Sequence, residues 1–448
     1  MPAHSVTSAD DALPANTVTS DTAPAAPYWS AKANAVAPNF GPFAGLRVLS
    51  AGSLVAAPHA AAMLADFGAE FIHIERPGVG DTWRFMPPFA DENGQKVSTT
   101  WLQEGRNRLS LTLELNLNIP EVKETFFDLV RRSDIFMENM VWLDKLAIHD
   151  EELLEVNPRL VIAHVSGFGR KEFGGLPEYC DMASYDLIGQ AFSGFMHLNG
   201  DPAPSVPGLT KPWTSDYISG FTCLFGVLAA YFEVLKTGKG QVVDVAQFEA
   251  NARILADTFC TWTEAGVLRA RNGTKSAAFQ PFGVYLDRDG DYVAIGAFGK
   301  AVYERFIKAV GWDLEYFSHK EAGDGVDTLL SPKGRELDAK IIAWCAERTA
   351  DEIVAALAPA RVGVAKVNTA RDCVEHPHYL RRHDFVRYTD QTTGADVTAF
   401  GIAPKLSATP GQVWRGSPAL GQDTDAILTN VCGYGPDKIA ALRQKGVI

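Results

Sequence analysis

Asp216 has the setting with the most chemistry. It lies in Lys211-Pro-Trp-Thr-Ser-Asp216-Tyr-Ile-Ser-Gly220, directly ahead of an apolar run at 217–234. Within that run Phe221, Leu224, Phe225, Leu228, Ala229 and Phe232 recur at helical spacing, which predicts a buried helix. A carboxylate at a helix start has two readings. Thr214, Ser215 and Asp216 are all residue types that cap an N-terminus. Alternatively, the positive end of the helix keeps Asp216 ionised for use as a nucleophile.

The elements before this stretch read as a parallel sheet. Residues 46–50 form a strand, 51–57 a loop, 58–67 a helix with Pro58 at its first position, and 69–75 a second strand after Gly68. Such a βαβ unit opens an α/β fold. The alternation continues with a strand at 108–115, a helix at 120–133 and buried strands at 135–139 and 160–165. Binding residues in these sheets collect at the carboxyl ends of strands. That rule singles out Arg76, Asn139 and Ser166-Gly-Phe-Gly169. Glu75 stands where a dinucleotide-binding fold keeps its ribose acid, yet the 51–57 loop lacks the G-x-G-x-x-G turn, so a nicotinamide cofactor is not expected.

After the apolar helix come a strand at 242–245, a long connecting helix at 246–266 and a hairpin at 282–286 and 292–296. Helices at 301–310, 333–347 and 351–358 follow, and the end of the chain returns to helix.

A chain of 448 residues is too long for one ordinary core, and 46% apolar with 21% charged residues is the composition of a globular protein. The net charge of −13 argues against nucleic acid as a partner. No run is expected to span a membrane. Six scattered cysteines, with no CxxC pair and no metal-ligand spacing, read as reduced, mostly buried thiols of a cytoplasmic protein, and no metal is expected. Residues 1–39, rich in Ala, Ser, Thr, Val and Pro, read as a disordered tail without a secretory signal.

Several motifs, in order, carry a resemblance. These are Gly45-Leu-Arg-Val-Leu, Asp66-Phe-Gly-Ala-Glu-Phe-Ile-His-Ile-Glu-Arg76-Pro-Gly, Gly80-Asp-Thr-Trp-Arg84, Asn157-Pro-Arg-Leu-Val-Ile-Ala-His-Val-Ser-Gly-Phe-Gly169, Lys236-Thr-Gly-Lys-Gly-Gln241 and Pro418-Ala-Leu-Gly-Gln-Asp-Thr424. Together they resemble the family III CoA-transferases. Ala183-Ser-Tyr-Asp-Leu-Ile-Gly-Gln-Ala-Phe-Ser-Gly194 and Trp213-Thr-Ser-Asp-Tyr-Ile-Ser-Gly220 resemble the carnitine CoA-transferase branch.

The resemblance implies that Asp216 is the nucleophile. It would form an anhydride with an acyl donor, then an aspartyl-CoA thioester, and finally pass CoA to a carboxylic acid. CoA is then a co-substrate, with no other cofactor. The resemblance further implies that Ser53, Leu54, Val55 and Ala56 line the CoA channel, that Arg76 flanks the adenine and that Asn139 borders CoA. Lys145 falls near a phosphate-binding basic position, and Arg106 and Arg108 near another. Tyr185 is read as a substrate residue, and Asp186 as a structural or substrate-orienting acid and not a second catalyst. The segment Ser276-Ala-Ala-Phe-Gln-Pro-Phe-Gly283 lacks the glycine run that some members carry, and Phe279 and Phe282 there suggest an acyl group larger or less polar than formate.

Racemases of the same family pair a Gly-His-Asp histidine with the aspartate. Here Ser184-Tyr185-Asp186 stands instead, and tyrosine, with a pKa of ~10, is a poor base at neutral pH. A silent subunit of a hetero-oligomer is disfavoured by the presence of Asp216. His59, His73 and His164 read as core or surface. The expected fold is α/β: a Rossmann-like large domain at 40–245, a linker at 246–271, a smaller α/β domain at 272–372, and a linker with a C-terminal return at 373–448. By resemblance, two chains interlock as a homodimer.

Overall fold

The computed structural model describes residues 32–92, 94–140 and 142–448, so most of the expected tail lies outside the described residues. Residues 32–39 of that stretch are anchored at a few points, with Ala37 buried and Ala33, Ala35, Pro38 and Asn39 exposed. The Val36 and Ala37 N–H groups donate to Glu70 Oε1 at 2.6 and 3.0 Å, and Lys32 pairs with Asp134 at 2.8 Å.

Six strands form the main sheet: β1 (Arg47–Ser50), β2 (Glu70–Glu75), β3 (Arg108–Thr112), β4 (Ile135–Glu138), β5 (Val161–Ser166) and β6 (Gln241–Ala246). Every pairing is parallel, in the order β3-β2-β1-β4-β5-β6. This is the Rossmann order, and the chain switches direction between β1 and β4. Alternate side chains feed two cores. Leu49, Ile72, Phe136 and Ile162 point to one face, which is covered by helix Pro120–Val130 and the C-terminal helices Thr424–Asn430 and Pro436–Gln444. Val48, Phe71, Met137 and Ala163 point to the other, which is covered by helices Ala56–Ala65 and Thr214–Thr237. A strand buried on both faces favours apolar residues on both, which is why β4 and β5 read as mainly apolar runs, while the polar residues buried in β2 and β3, such as Glu75, His73 and Ser110, are hydrogen-bonded.

The Thr214–Thr237 helix forms where expected but turns a different face inward. Its buried positions are Ser215, Ser219, Gly220, Cys223, Val227, Ala230 and Val234. Phe221, Phe225 and Phe232 are exposed, Phe225 by 75%. The reason is the alanine-rich partner helix Ala56–Ala65, whose close approach admits only small residues. A Cβ on Gly220 would meet the Ala56 carbonyl oxygen at 2.9 Å. This helix is also long and apolar enough to cross a membrane by length and composition, contrary to the sequence expectation, although its inner face belongs to the core beneath the sheet.

Other differences are local. Helix Ala56–Ala65 starts two residues before Pro58. The expected helix at 246–266 is two, Gln247–Arg253 and Thr258–Ala265, separated where Ala256 takes a φ of 50°. Of the cysteines, Cys223, Cys345 and Cys432 are buried, Cys180 and Cys373 half-buried and Cys260 exposed, so burial is less general than expected.

The smaller unit has its own antiparallel sheet of Phe282–Leu286, Tyr292–Gly296 and Gly363–Lys366, and its own core under helices Lys300–Ala309, Pro332–Ala346 and Ala350–Leu357. The chain then rejoins the large unit. Hairpin Phe385–Thr389 with Asp396–Phe400 packs on Trp83 and Trp101, and the Tyr388 hydroxyl donates to the Leu102 carbonyl at 2.6 Å.

Candidate active site

The helix that carries Asp216 is not capped by its own residues. Trp213 occupies the N-cap in left-handed geometry, φ 37°, without a side-chain cap bond. The cap comes from another helix, because Asp186 Oδ1 accepts from the Ser215 N–H at 2.7 Å. Asp186 opens helix Asp186–Phe192 and is buried; its Oδ2 accepts from Gln190 at 2.8 Å. Ser215 Oγ in turn accepts from Asn251 at 2.6 Å. Asp216, one residue on, is thereby relieved of capping. Its Oδ1 accepts from Gln247 Nε2, and Gln247 Oε1 accepts from Ser184 Oγ at 2.8 Å. Gly189 lets these helices close up, since a Cβ there would meet Gln247 Cγ at 2.6 Å.

The electrostatics correct one expectation. The helix N-terminus does not hold Asp216 strongly ionised. Burial, and after it the charge of Asp186, push its carboxyl up to about 7, against a smaller opposing effect of the Gln247 hydrogen bond. Burial likewise raises Asp186. Among the described residues no cation pairs with Asp216. The site holds a half-buried carboxylate poised near neutrality, a property that clusters at functional positions.

The loop after β1 lies at the switch point. Asn139 grips it from the end of β4: Oδ1 accepts from Ser53 N–H and Nδ2 donates to the Ser53 carbonyl, both at 2.8 Å. Asp81 Oδ1 accepts from Ser53 Oγ and Leu54 N–H, each at 3.2 Å, and from Trp83 N–H at 2.8 Å. Leu54 is thereby held at φ 62°, with Val55 and Ala56 buried behind it. Leu54 and Val55 share one apolar cluster with Trp83, Trp101, Trp213 and Tyr217, which sets this loop beside the start of the Asp216 helix. Trp83 meets Trp213 edge-on at 5.1 Å.

The basic candidates separate. Arg76, at the carboxyl end of β2, is 71% exposed and only loosely paired with Glu114 at 3.7 Å. Lys145 is exposed on the short turn Leu143–Leu146. Arg108 corrects the sequence reading. It is buried, bonded to His73 Nδ1 at 3.0 Å and stacked between Phe71 and Trp101, so it braces the core and is not presented to a ligand. Arg106 is also structural, paired with Asp66 at 2.9 Å and donating to the Phe400 and Gly401 carbonyls. Glu75 is fully engaged by Arg84, by Ser110 Oγ at 2.5 Å and by the Asp81 N–H at 2.9 Å. It is unavailable to a ribose.

Tyr185, 69% exposed, precedes Asp186 at the helix start. Phe279 and Phe282 lie in the smaller unit, where they line a cavity of about 390 Å³ with Lys275 and Asp338 and stack edge-on at 5.0 Å. None of the residues hydrogen-bonded around Asp216 lines that cavity. The histidines are each engaged: His59 by Glu104 at 3.0 Å, His73 by the Gly52 carbonyl at 2.9 Å, and His164 between Glu138 and Asp150. Sequence reasoning missed Ser184, Gln190, Gln247 and Asn251. A signal existed for the last two. They fall four apart, on one face of a helix, directly after the carboxyl end of β6.

A half-buried carboxylate with no cation partner among the described residues thus lies near the switch-point loop of a Rossmann-ordered sheet. The chain belongs to CoA-transferase family III, whose sequence model matches residues 43–424. It is 34% identical to the bile acid CoA-transferase BaiK of Clostridium scindens, over 92% of this chain and 90% of that protein. It is 33% identical to the L-carnitine CoA-transferase of Proteus mirabilis, over 92% of this chain and 97% of that one. Its fold is similar to the crystal structure of a CAIB/BAIF family protein from Brucella suis, with a TM-score of 0.75 and 24% identity, covering 88% of this chain and 100% of that one.

Proposed function

We propose that this enzyme moves CoA from an acyl-CoA donor to a carboxylic acid acceptor, with Asp216 as covalent nucleophile. The observation that carries the reading is the state of Asp216: near-neutral in pKa, bound by one amide and unpaired with any cation among the described residues. Asp216 attacks the donor thioester, expelling CoA thiolate and forming a mixed anhydride. The thiolate attacks the Asp216 carbonyl carbon and releases the donor acid, which leaves an aspartyl-CoA thioester. The acceptor carboxylate displaces CoA to give a second anhydride, and the thiolate then takes the acceptor acyl group and frees Asp216. No cofactor beyond CoA as co-substrate enters this scheme.

The Ser53–Ala56 loop would line the CoA channel, with Asn139 holding that loop and Arg76 free to stack on adenine and reach a phosphate. Lys145 would add a second cation. Tyr185 stands at the rim for the incoming acid, while Asp186 acts through Asp216. The relatives named for bile acids and for L-carnitine support small-molecule acids as substrates. The exposed Phe221, Phe225 and Phe232 supply an apolar face for a second copy of the chain in an interlocked homodimer. The free cysteines suit a cytoplasmic location. The test is CoA exchange over a panel of acyl-CoAs and acids. Exchange with the wild type that disappears in Asp216→Ala supports the proposal, and exchange that persists in the variant refutes it.

A further inference from the structure

We propose that the Gln247 side-chain amide is the oxyanion donor for the steps that take place at the Asp216 carbonyl carbon, a catalytic role distinct from that of the nucleophile. The inference rests on the reading of Asp216 given above.

Gln247 touches the carboxylate through one oxygen only. Its Nε2 donates to Oδ1, which leaves Oδ2 to attack. Once Oδ2 has become the bridging oxygen of the anhydride, the carbon–oxygen double bond is confined to Oδ1. When CoA thiolate adds to the Asp216 carbonyl carbon, the π electron pair moves onto Oδ1. When the intermediate collapses, that pair re-forms the double bond and the donor acid departs with Oδ2. The acceptor carboxylate adds to the same carbon in the same way, the charge again falls on Oδ1, and CoA thiolate leaves. Half of the covalent steps therefore place their charge on the oxygen that already faces Nε2. A donor in position before charge develops needs no reorganisation, which is what makes such groups effective.

The amide is held for this task. Ser184 Oγ donates to Oε1 at 2.8 Å and so turns Nε2 toward Asp216. The Gln247 carbonyl accepts from Asn251 Nδ2 at 2.7 Å, and the same nitrogen donates to Ser215 Oγ at the start of the Asp216 helix. The side chain is buried, so water does not replace it. Its neutrality also matters. A cation in its place would hold the resting carboxylate ionised but blunt its nucleophilicity, whereas an amide serves the oxyanion and leaves the attacking oxygen basic. The first step places its oxyanion on the substrate carbonyl oxygen, away from Oδ1. The final attack on the acceptor acyl carbon does likewise, so neither depends on Gln247.

That asymmetry gives the test. Wild type, Gln247→Leu, Ser184→Ala and Asp216→Ala are mixed with an acyl-CoA, without acceptor, at a pH well above the Asp216 value of about 7. A thiol reagent traps CoA released by the first step. In parallel, without the reagent, borohydride quenching followed by peptide mass spectrometry reports the aspartyl thioester. Gln247→Leu should release CoA near the wild-type rate while forming thioester ~10²–10³-fold more slowly. Ser184→Ala should slow the same step by less. A Gln247→Leu enzyme that forms thioester at the wild-type rate overturns the assignment. Equal slowing of CoA release and thioester formation also overturns it, because a merely supporting residue would act on both. Adducts in Asp216→Ala would instead refute the nucleophile reading on which the inference stands.

Discussion

Two carboxylates in this molecule are held in opposite states. Glu75, at the end of β2, is buried, but its two oxygens meet the Arg84 guanidinium at 2.7 and 2.8 Å, with further bonds from Ser110 and Asp81. Burial alone would raise its pKa; the Arg84 hydrogen bonds and charge, with His73 and Ser110, overcome that and hold it down to about 2. Asp216 is less buried, has Asp186 as its charged neighbour and a single amide as donor, and is pushed up to about 7. The difference lies in the partner supplied and not in depth. Where the chain needs a rigid strand end it surrounds a carboxylate with donors. At Asp216, the proposed nucleophile, the carboxylate has no counter-ion among the described residues and lies next to a like charge, at a cost in stability.

Changing each carboxylate should therefore have opposite consequences. Asp216→Ala should lower CoA transfer by ~10⁴-fold or more, as loss of a nucleophile does. It should not destabilise the fold. A carboxyl whose pKa is raised in the folded state favours unfolding progressively from pH 3.8 up to about 7, and that penalty persists above. At pH 8 the variant should unfold at the same urea concentration as wild type or a higher one. Glu75→Gln should do the reverse, costing about 3–5 kcal/mol in urea unfolding at neutral pH because Arg84 is left buried and unpaired. The stability that wild type gains from Glu75 is present above its ordinary value of 4.5 and is lost as pH falls through about 2.

Arg76→Ala should weaken acyl-CoA by about 1.5–3 kcal/mol, the worth of charge-assisted contacts to a phosphate, and leave the free acid acceptor nearly unaffected. Apparent affinities for the two substrates measure this. The smallest effect should come from Asp186→Asn, which keeps an oxygen for the Ser215 N–H and removes the charge facing Asp216. The acid limb of kcat/KM, expected near pH 7 in wild type if Asp216 sets it, should move to lower pH, because Asp186 is one of the two causes that raise Asp216. An unmoved limb would assign the raised pKa to burial alone.

The comparison also explains what the sequence made legible. The strands and their carboxyl ends could be read because β4 and β5 are mainly apolar runs and β3 alternates apolar with polar residues, and the Asp216 position could be read because a carboxylate precedes a long apolar run. The inward face of that helix could not. Packing against Ala56–Ala65 selects Gly220, Cys223 and Ala230 over the larger phenylalanines, and no periodicity encodes the partner's size. Arg108 was misread for a related reason. In a strand pattern, a buried guanidinium between Phe71 and Trp101 looks the same as one presented to a ligand. The cap on Ser215 and the amide on Asp216 come from residues 29 and 31 positions away, so only the fold brings them together.

The most direct test of the central claim is to look for the acyl chemistry on Asp216 itself. Wild-type enzyme incubated with an acyl-CoA is quenched with borohydride or hydroxylamine and digested, and the peptide holding Asp216 is analysed by mass spectrometry. The account predicts an alcohol from the thioester with the first reagent and a hydroxamate with the second, both located at Asp216 and both missing from Asp216→Ala. An unmodified Asp216 peptide from enzyme that is turning over, with no ¹⁸O passing to it from a labelled acceptor carboxylate, would contradict it.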